Sequence, residues 1–339
     1  MSFGFLVKLR PAGPWRIGPD TGDPGRVDLV YHSDAFYSAV THAMLRLGHL
    51  EEWLSDTASG ENGPAIRFTS CYPYHRNTLL ITPPRTLWPP PPSVKLHYQG
   101  VRFVPLSFVE GLLSEQPIQE DRWIVDGASE CLLPSGKAGL GSPFRVVRRS
   151  RAAVDRLAPA QVETHTTGCL EFAEGAGLWL AAAFRDDAAR GRWASRLRAA
   201  LRLLADSGFG GERSNGWGRT EQPEISEGQL PALMLNSPAP AEGAETGYWL
   251  LSLFSPAEDD TVDWSRGNYA TVIRSGRVES PSGSGAQKRR TPMIVEGSVL
   301  IAASEPRGAA RDVAPAGFPH PVFRAGFAFT IPIPWRSGV

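Results

Sequence analysis

The chain is 339 residues long, with 35 basic and 35 acidic side chains. That length suits two domains with a core in each, and the even charge excludes a globally basic nucleic-acid-binding surface, so any such surface has to be local. Cys71, Cys131 and Cys169 stand far apart without a CxxC pair, which argues against a disulfide scaffold or a structural zinc site and for a reducing compartment. No apolar run approaches the roughly 18 residues of a membrane span, and no leader pattern opens the sequence; a cytoplasmic protein without membrane contact is expected.

Taken in order, Phe3, Phe5, Val7 and Leu9 alternate with smaller or polar residues as in a half-buried strand, and a Gly/Pro-rich loop with Trp15 and Arg16 follows. Ser33 or Asp34 is expected to cap a helix with Phe36, Val40, Met44 and Leu47 on one face. His32 and His42 have no carboxylate at motif spacing, which favours capping or surface roles. Ile66 to Phe68 and Thr78 to Ile81 read as strands, and Pro89 to Pro92 as a stiff spacer.

The most basic segment runs from Phe144 to Arg156. Arg145, Arg148, Arg149, Arg151 and Arg156 face a single acid, Asp155. Charges alternating with Val146 and Val154 fit an exposed hairpin arm, whose arginines grip phosphate bidentately or stack on bases. The competing reading is a charged edge strand that avoids aggregation. Residues 170–184 read as strand, turn, strand. Residues 188–206 place Trp193, Leu197, Leu201 and Leu204 at helical spacing.

That helix leads into Gly208-Phe209-Gly210-Gly211-Glu212-Arg213-Ser214-Asn215-Gly216-Trp217-Gly218-Arg219, with five glycines in eleven positions. Such a loop lets the backbone approach a ligand and offers N–H groups to an anion; Phe209 and Trp217 either stack on a base or anchor the loop. The spacing fits neither phosphate-binding nucleotide motif. Because a helix C-terminus repels anions, phosphate there has to be held by the loop and its arginines.

Residues 221–246 are acidic, rich in Pro, Gly and Ala, and free of basic residues, the best candidate boundary. Beyond it, Tyr248 to Phe254 reads as a strand and Ala270 to Ser280 as a hairpin around Ser275-Gly276. A Ser/Gly-rich loop then runs into Lys288-Arg289-Arg290, and Glu296 to Leu300 and Phe323 to Ile333 complete a sheet.

A helix followed by G-F-G-G-x-R-S-x-G-W-G-R resembles the glycine-rich loop of the RAMP superfamily of CRISPR proteins. Tyr31 to Phe36 resembles the opening of the first RAMP helix, and Arg151 to Arg156 the element at the base of a protruding β thumb. The C-terminal order of an R-x-G turn, a basic loop, Glu296-Gly297-Ser298-Val299 and Phe323-Arg324-x-Gly326 is similar to subunit four of the type III-A Csm effector complex. Residues 101–109 depart from that family in lacking its lysines.

The resemblance implies an α+β fold of two ferredoxin-like (RRM-like, RAMP) domains. The first spans 1–228, with a β-hairpin thumb at about 134–168 and the glycine-rich loop at 208–219; the second spans 246–335. It implies a non-catalytic subunit of a type III effector in antiviral defence. That subunit holds the 5′ handle of the crRNA, bridges the backbone RAMP subunit to the large polymerase-like subunit, and meets target RNA through the complex. RNA contacts are expected from the five hairpin arginines, from Gly208, Phe209, Gly210, Gly211, Arg213, Ser214, Asn215, Gly216 and Trp217, and from His32, Lys288 and Arg289. No cofactor, metal or catalytic residue is assigned. The alternatives are a RAMP endoribonuclease processing precursor crRNA, which needs a paired acid and base, and a protein-only adaptor.

Overall fold

The structure, a computed structural model, describes residues 2–18, 22–60, 63–91, 96–136, 141–154, 162–236, 245–280 and 282–335. The first half contains, in order, β1 (Ser2–Leu9), α1 (Ser33–Arg46), α2 (Leu50–Thr57), β2 (Ile66–Phe68), β3 (Tyr72–His75), β4 (Thr78–Ile81), β5 (Val104–Pro105), α3 (Leu106–Leu113), β6 (Trp123–Asp126), β7 (Cys131–Pro134), β8 (Phe144–Val154), β9 (Val162–Phe172), β10 (Ala176–Phe184), α4 (Asp187–Ser207) and β11 (Glu224–Leu230). The main sheet has the order β11-β1-β10-β3-β4-β5, with β2 also on β10. Its skeleton is β1-α1-β3-β10-α4-β11, antiparallel throughout and ordered fourth, first, third, second, which is the ferredoxin connectivity. Everything from β4 to β9 is an insertion between the second and third skeleton strands.

The local causes are readable. Asp186 caps α4 by accepting from the Ala189 N–H at 2.7 Å. Trp193, Leu197, Leu201 and Leu204 are all buried, and the Trp193 indole meets Trp53 of α2 edge-on at 5.3 Å. Every residue of β10 is buried, as suits a central strand covered on both faces. β11 falls inside the acidic segment that reads as the domain boundary. It is an edge strand whose glutamates face solvent, and Arg198 pairs with Glu227 and Arg10 with Glu224.

The second half contains β12 (Thr246–Leu250), β13 (Thr271–Arg274), β14 (Arg277–Ser280), β15 (Gly283–Gln287), β16 (Thr291–Ile294), β17 (Val299–Ile301), β18 (Ala310–Asp312), β19 (Phe323–Ala325) and β20 (Thr330–Pro334). β17-β12-β20 form a three-stranded sheet. The hairpin expected around Ser275-Gly276 is not formed: β13 pairs with β16 and β14 with β15. The turn therefore lies between Ser280 and Gly283, and Ser275-Gly276 is a break within one arm of a longer hairpin, where the Lys288 N–H reaches the Gly276 carbonyl at 2.8 Å. The described residues of this half form no α-helix; α1 lies against it instead, with Tyr37 meeting Phe327 edge-on at 5.6 Å. One buried cluster runs from Phe5 through Phe36 and Phe209 to Trp249, Phe327 and Ile333, so the halves share a core. No helix of the described residues is long and apolar enough to cross a membrane.

Charge joins the halves at the head of α1. Asp34 accepts from Arg274 Nε at 3.2 Å and Nη2 at 3.0 Å, and also from Arg324, all three side chains being buried. Burial works against this carboxylate, but the two guanidinium groups more than reverse the effect and hold it well below the usual carboxylate range. Two residues earlier, His32 donates from Nδ1 to Glu296 at 2.7 Å and from Nε2 to Asp28 at 3.1 Å. Ser70 donates to Glu296 and accepts from the Ser33 N–H at 2.9 Å. The caps expected of Ser33 and Asp34 give way to this arrangement. His32, expected on the surface without a carboxylate and assigned to RNA contact, is instead 6% exposed, with both ring nitrogens taken; its partner Glu296 lies 264 residues away, beyond any motif spacing.

Burial disfavours the His32 cation, yet the Glu296 charge and the hydrogen bonds to Asp28 and Glu296 push its pKa up to about 9. With an unfolded value near 6.5, its contribution to stability is fully present below that pH and is lost as pH rises through about 9. The stability advantage of the native chain over His32→Gln should therefore shrink by on the order of 3 kcal/mol across that window. Denaturant unfolding at a series of pH values checks this; an advantage that stays constant would remove the charge from the account.

Candidate nucleic-acid interface

The glycine-rich loop closes on itself. Gly208, Gly210, Gly216 and Gly218 all have positive φ. A Cβ on Gly218 would stand 2.1 Å from the Phe209 carbonyl oxygen, and one on Gly208 would stand 2.6 Å from that of Trp217. At Gly210 the close neighbour is the Arg16 carbonyl, at 2.7 Å, while Gly211 donates its N–H to the same oxygen at 2.9 Å. These glycines serve backbone-to-backbone approach within the protein.

Of the two readings of the loop aromatics, the structure takes the anchor. The Phe209 ring is 3% exposed and meets Trp15 at 4.6 Å, Tyr31 at 5.2 Å and Phe36 at 5.9 Å, each edge-to-face. Trp217 is also buried, under the Arg151 guanidinium at 5.6 Å from its centroid. Neither ring is open to a base. Between the aromatics, Arg213, Ser214 and Asn215 form the exposed crest, and Gly216 follows them. Asn215 donates to Glu212 at 2.7 Å.

The basic segment forms the expected hairpin, with β8 and β9 paired from Phe144↔Phe172 to Val154↔Val162. Its tip and Arg156 lie outside the described residues. Strand alternation puts Arg145, Arg149 and Arg151 on one face, where much of their charge is matched. Glu171 accepts from Arg145 at 3.1 Å and from Arg149 at 2.6 Å, and Glu212 of the glycine loop pairs with Arg151. Arg148 projects from the other face, exposed beside Val146, itself 48% exposed. Sequence reasoning did not foresee the role of Arg16. Its guanidinium donates to the carbonyls of Pro24, Gly168 and Asp23 at 2.7–3.0 Å, tying the loop after β1 to the base of the hairpin.

Where loop, helices and second half meet there is a cleft of about 480 Å³. Among the described residues its cations are Arg46, Arg213, Arg274, Lys288 and Arg324, five against the two anions Asp34 and Glu279, in a chain of zero net charge. Arg213 pairs with Glu279 at 2.5 Å across the mouth. His42 also lines the cleft, and burial lowers its pKa, keeping the ring neutral. Arg274 and Arg324 form the floor through Asp34. Their motifs are visible in sequence, but their common partner, 240 and 290 residues away, is not.

Of the residues assigned to RNA, the cleft gathers Gly208, Phe209, Gly210, Arg213 and Lys288. Arg289 faces away, donating to the Asp312 carbonyl at 2.7 Å. Among the described residues no group of three His, Cys, Asp or Glu side chains is placed to hold a metal ion.

Comparison with known proteins adds two kinds of likeness. Residues 244–333 match the family model of the CRISPR Csm4 C-terminal domain. A chain of the Csm3–Csm4 subcomplex in the type III-A CRISPR-Cas interference complex superposes with a TM-score of 0.64 at 16% identity, over 98% of this chain and 99% of that one. A chain of the Csm1–Csm4 cassette in complex with cA4 gives 0.57 at 16% identity over 99% and 100%, and one in complex with AMPPNP gives 0.55 at 16% identity over the same shares. No curated protein matches the chain.

The loop geometry separates two glycines of equal φ. Gly218→Ala, with its Cβ against a carbonyl, should cost about 2–4 kcal/mol. Gly216→Ala, whose Cβ would meet nothing within 4 Å, should cost only the left-handed backbone term of about 1–2 kcal/mol. Thermal and denaturant melts measure both; equal costs would mean that the loop is looser than its contacts.

Proposed function

We propose that this chain, a Csm4-like protein of the CRISPR RAMP superfamily, is a non-catalytic RNA-binding subunit of a type III effector complex acting in antiviral defence. It holds the 5′ handle of the crRNA and bridges the backbone RAMP subunit to the large polymerase-like subunit, with target RNA reached through the assembly. The observation that carries this reading is the cleft, where the described residues place five cations against two anions in a chain of balanced charge. Local positive potential of this kind attracts a phosphate polymer without making the whole protein sticky. The bridging role is drawn from the structural relatives, one found with Csm3 and others with Csm1.

Arg213 and Lys288 contact phosphate at the mouth; Arg274 and Arg324, engaged with Asp34, supply field from the floor. The hairpin arginines add less than their number suggests, because Glu171 and Glu212 accept from three of them. One observation favours the nuclease alternative: neutral His42 faces the same cleft as Lys288 and Arg213, and an imidazole beside cations can take a proton from a 2′-hydroxyl.

Binding of a fluorescently labelled repeat RNA should fall with salt at a slope of roughly −2 to −3 in log K against log concentration, as for three to four phosphates on a single strand. Arg213→Glu with Lys288→Glu should weaken binding at least tenfold, and the RNA should remain intact in EDTA. A flat salt response would sink the RNA-binding reading; cleavage in EDTA that His42→Ala abolishes would establish the nuclease in its place.

A further inference from the structure

The triplet Lys288-Arg289-Arg290 is divided by the backbone it sits on. The Lys288 N–H bonds to the Gly276 carbonyl at 2.8 Å, and the next N–H, of Arg289, bonds to the Val313 carbonyl at 2.9 Å in the opposite direction. Alternation along an extended chain then sends neighbouring side chains to opposite faces. Lys288 lines the glycine-loop cleft, while Arg289 lines two adjoining hollows of about 460 and 420 Å³ on the other side of this wall.

The two hollows share Arg289 and Asp312 and form one groove. Among the described residues, Arg289, Arg290 and Arg311 line it against one anion, Asp312. Asp312 Oδ1 accepts from the Ala314 and Val322 N–H groups at 2.9 and 3.0 Å, and its Oδ2 pairs with Arg289 at 3.5 Å, so the excess positive charge of the groove rests on Arg290 and Arg311. Arg311 is held by Ser255 Oγ and the Pro256 carbonyl, and Arg290 is exposed. The far end of the groove is aromatic. Phe318 and His320 meet edge-to-face at 4.9 Å; His320 Nδ1 donates to the Pro321 carbonyl at 2.9 Å and its Nε2 accepts from the Ser280 hydroxyl at 2.7 Å. The two rings are thus fixed in place while His320 remains exposed.

We infer that this groove is a second binding site for single-stranded RNA, continuing the path of the strand held in the glycine-loop cleft. The inference rests on the RNA-binding reading of that cleft. Arginines followed by a fixed aromatic pair match the two faces of a nucleotide strand, guanidinium to phosphate and ring to base. Free phosphate would use only the arginines. The route between the sites is short, because β14 borders both: Glu279 lines the cleft, and its neighbour Ser280 holds His320 of the groove.

The test uses labelled uridine oligonucleotides of four and twelve residues with the full chain. The twelve-mer should bind at least tenfold more tightly than the four-mer. Arg290→Glu and Phe318→Ala, each on the surface of the groove, should remove most of that advantage and leave four-mer binding unchanged. Arg213→Glu should weaken both oligonucleotides. A twelve-mer carrying 4-thiouridine should crosslink to the native protein within residues 311–321, which reads the path without any substitution. Twelve-mer affinity unchanged in both variants, with no such crosslink, would overturn the second site while four-mer binding kept the first. Variants that bind RNA normally but lose a protein subunit of the complex would overturn it in favour of a protein interface. Failure of the native chain to bind either oligonucleotide would overturn both readings.

Discussion

The rest of the structure depends on the ionic junction at the head of α1. Its charges can be followed one by one: Arg102 pairs with Asp28, Asp28 and Glu296 with His32, and Arg274 and Arg324 with Asp34. With His32 protonated, four cations stand against three anions. Buried pairs of this kind contribute little net stability compared with apolar packing, because desolvation offsets most of their attraction, but leaving one member unpaired costs several kcal/mol. Their effect is to make one placement of the second half strongly preferred. That placement brings Arg274 and Arg324 under the glycine loop, so the same contacts that register the halves create the cleft and set its sign.

The glycine-rich loop is held from the opposite direction. Phe209 enters the aromatic cluster of Trp15, Tyr31 and Phe36, and Arg151 covers Trp217 while engaging Glu212. A loop fixed at both ends and closed by glycine contacts presents Arg213 at a defined point on its crest, and Glu279 of the second half meets it there. On the proposed reading, RNA entering the cleft would have to compete with Glu279 for Arg213. That competition is mild, since the pair is largely exposed and such pairs are worth at most about 1 kcal/mol, whereas the Asp34 pairs below are buried and stay closed.

Local features of this fold were legible in the sequence. The period of Trp193, Leu197, Leu201 and Leu204 marked α4, alternation marked β1, and the arginine-rich arm marked the β8–β9 hairpin. What was not legible came mostly from the distance along the chain between partners. Glu296, the partner of His32 Nδ1, is 264 residues away; Asp28, the partner of Nε2, stands four residues before His32 and looked unrelated because it precedes the helix. Ser275-Gly276 looked like a hairpin turn because its composition is that of a turn, whereas the pairing is decided by β16 and β15 further on. The acidic stretch that read as the domain boundary begins with an edge strand, because solvent-facing glutamates look alike in a connection and on a sheet edge.

The arginine-rich arm shows how composition overstates a binding surface. Five arginines against one aspartate suggested a strongly positive thumb, yet the neighbouring strand supplies Glu171 and the glycine loop supplies Glu212. The cleft achieves more with fewer exposed cations. Its floor arginines share one carboxylate, leaving excess positive charge in a partly enclosed space where water screens it less. In a chain of zero net charge, a local positive potential then depends on where the fold gathers cations in excess of anions. Neither the glycine count of the loop nor the arginine count of the arm reveals that place; the convergence of α1, the loop and β14 does.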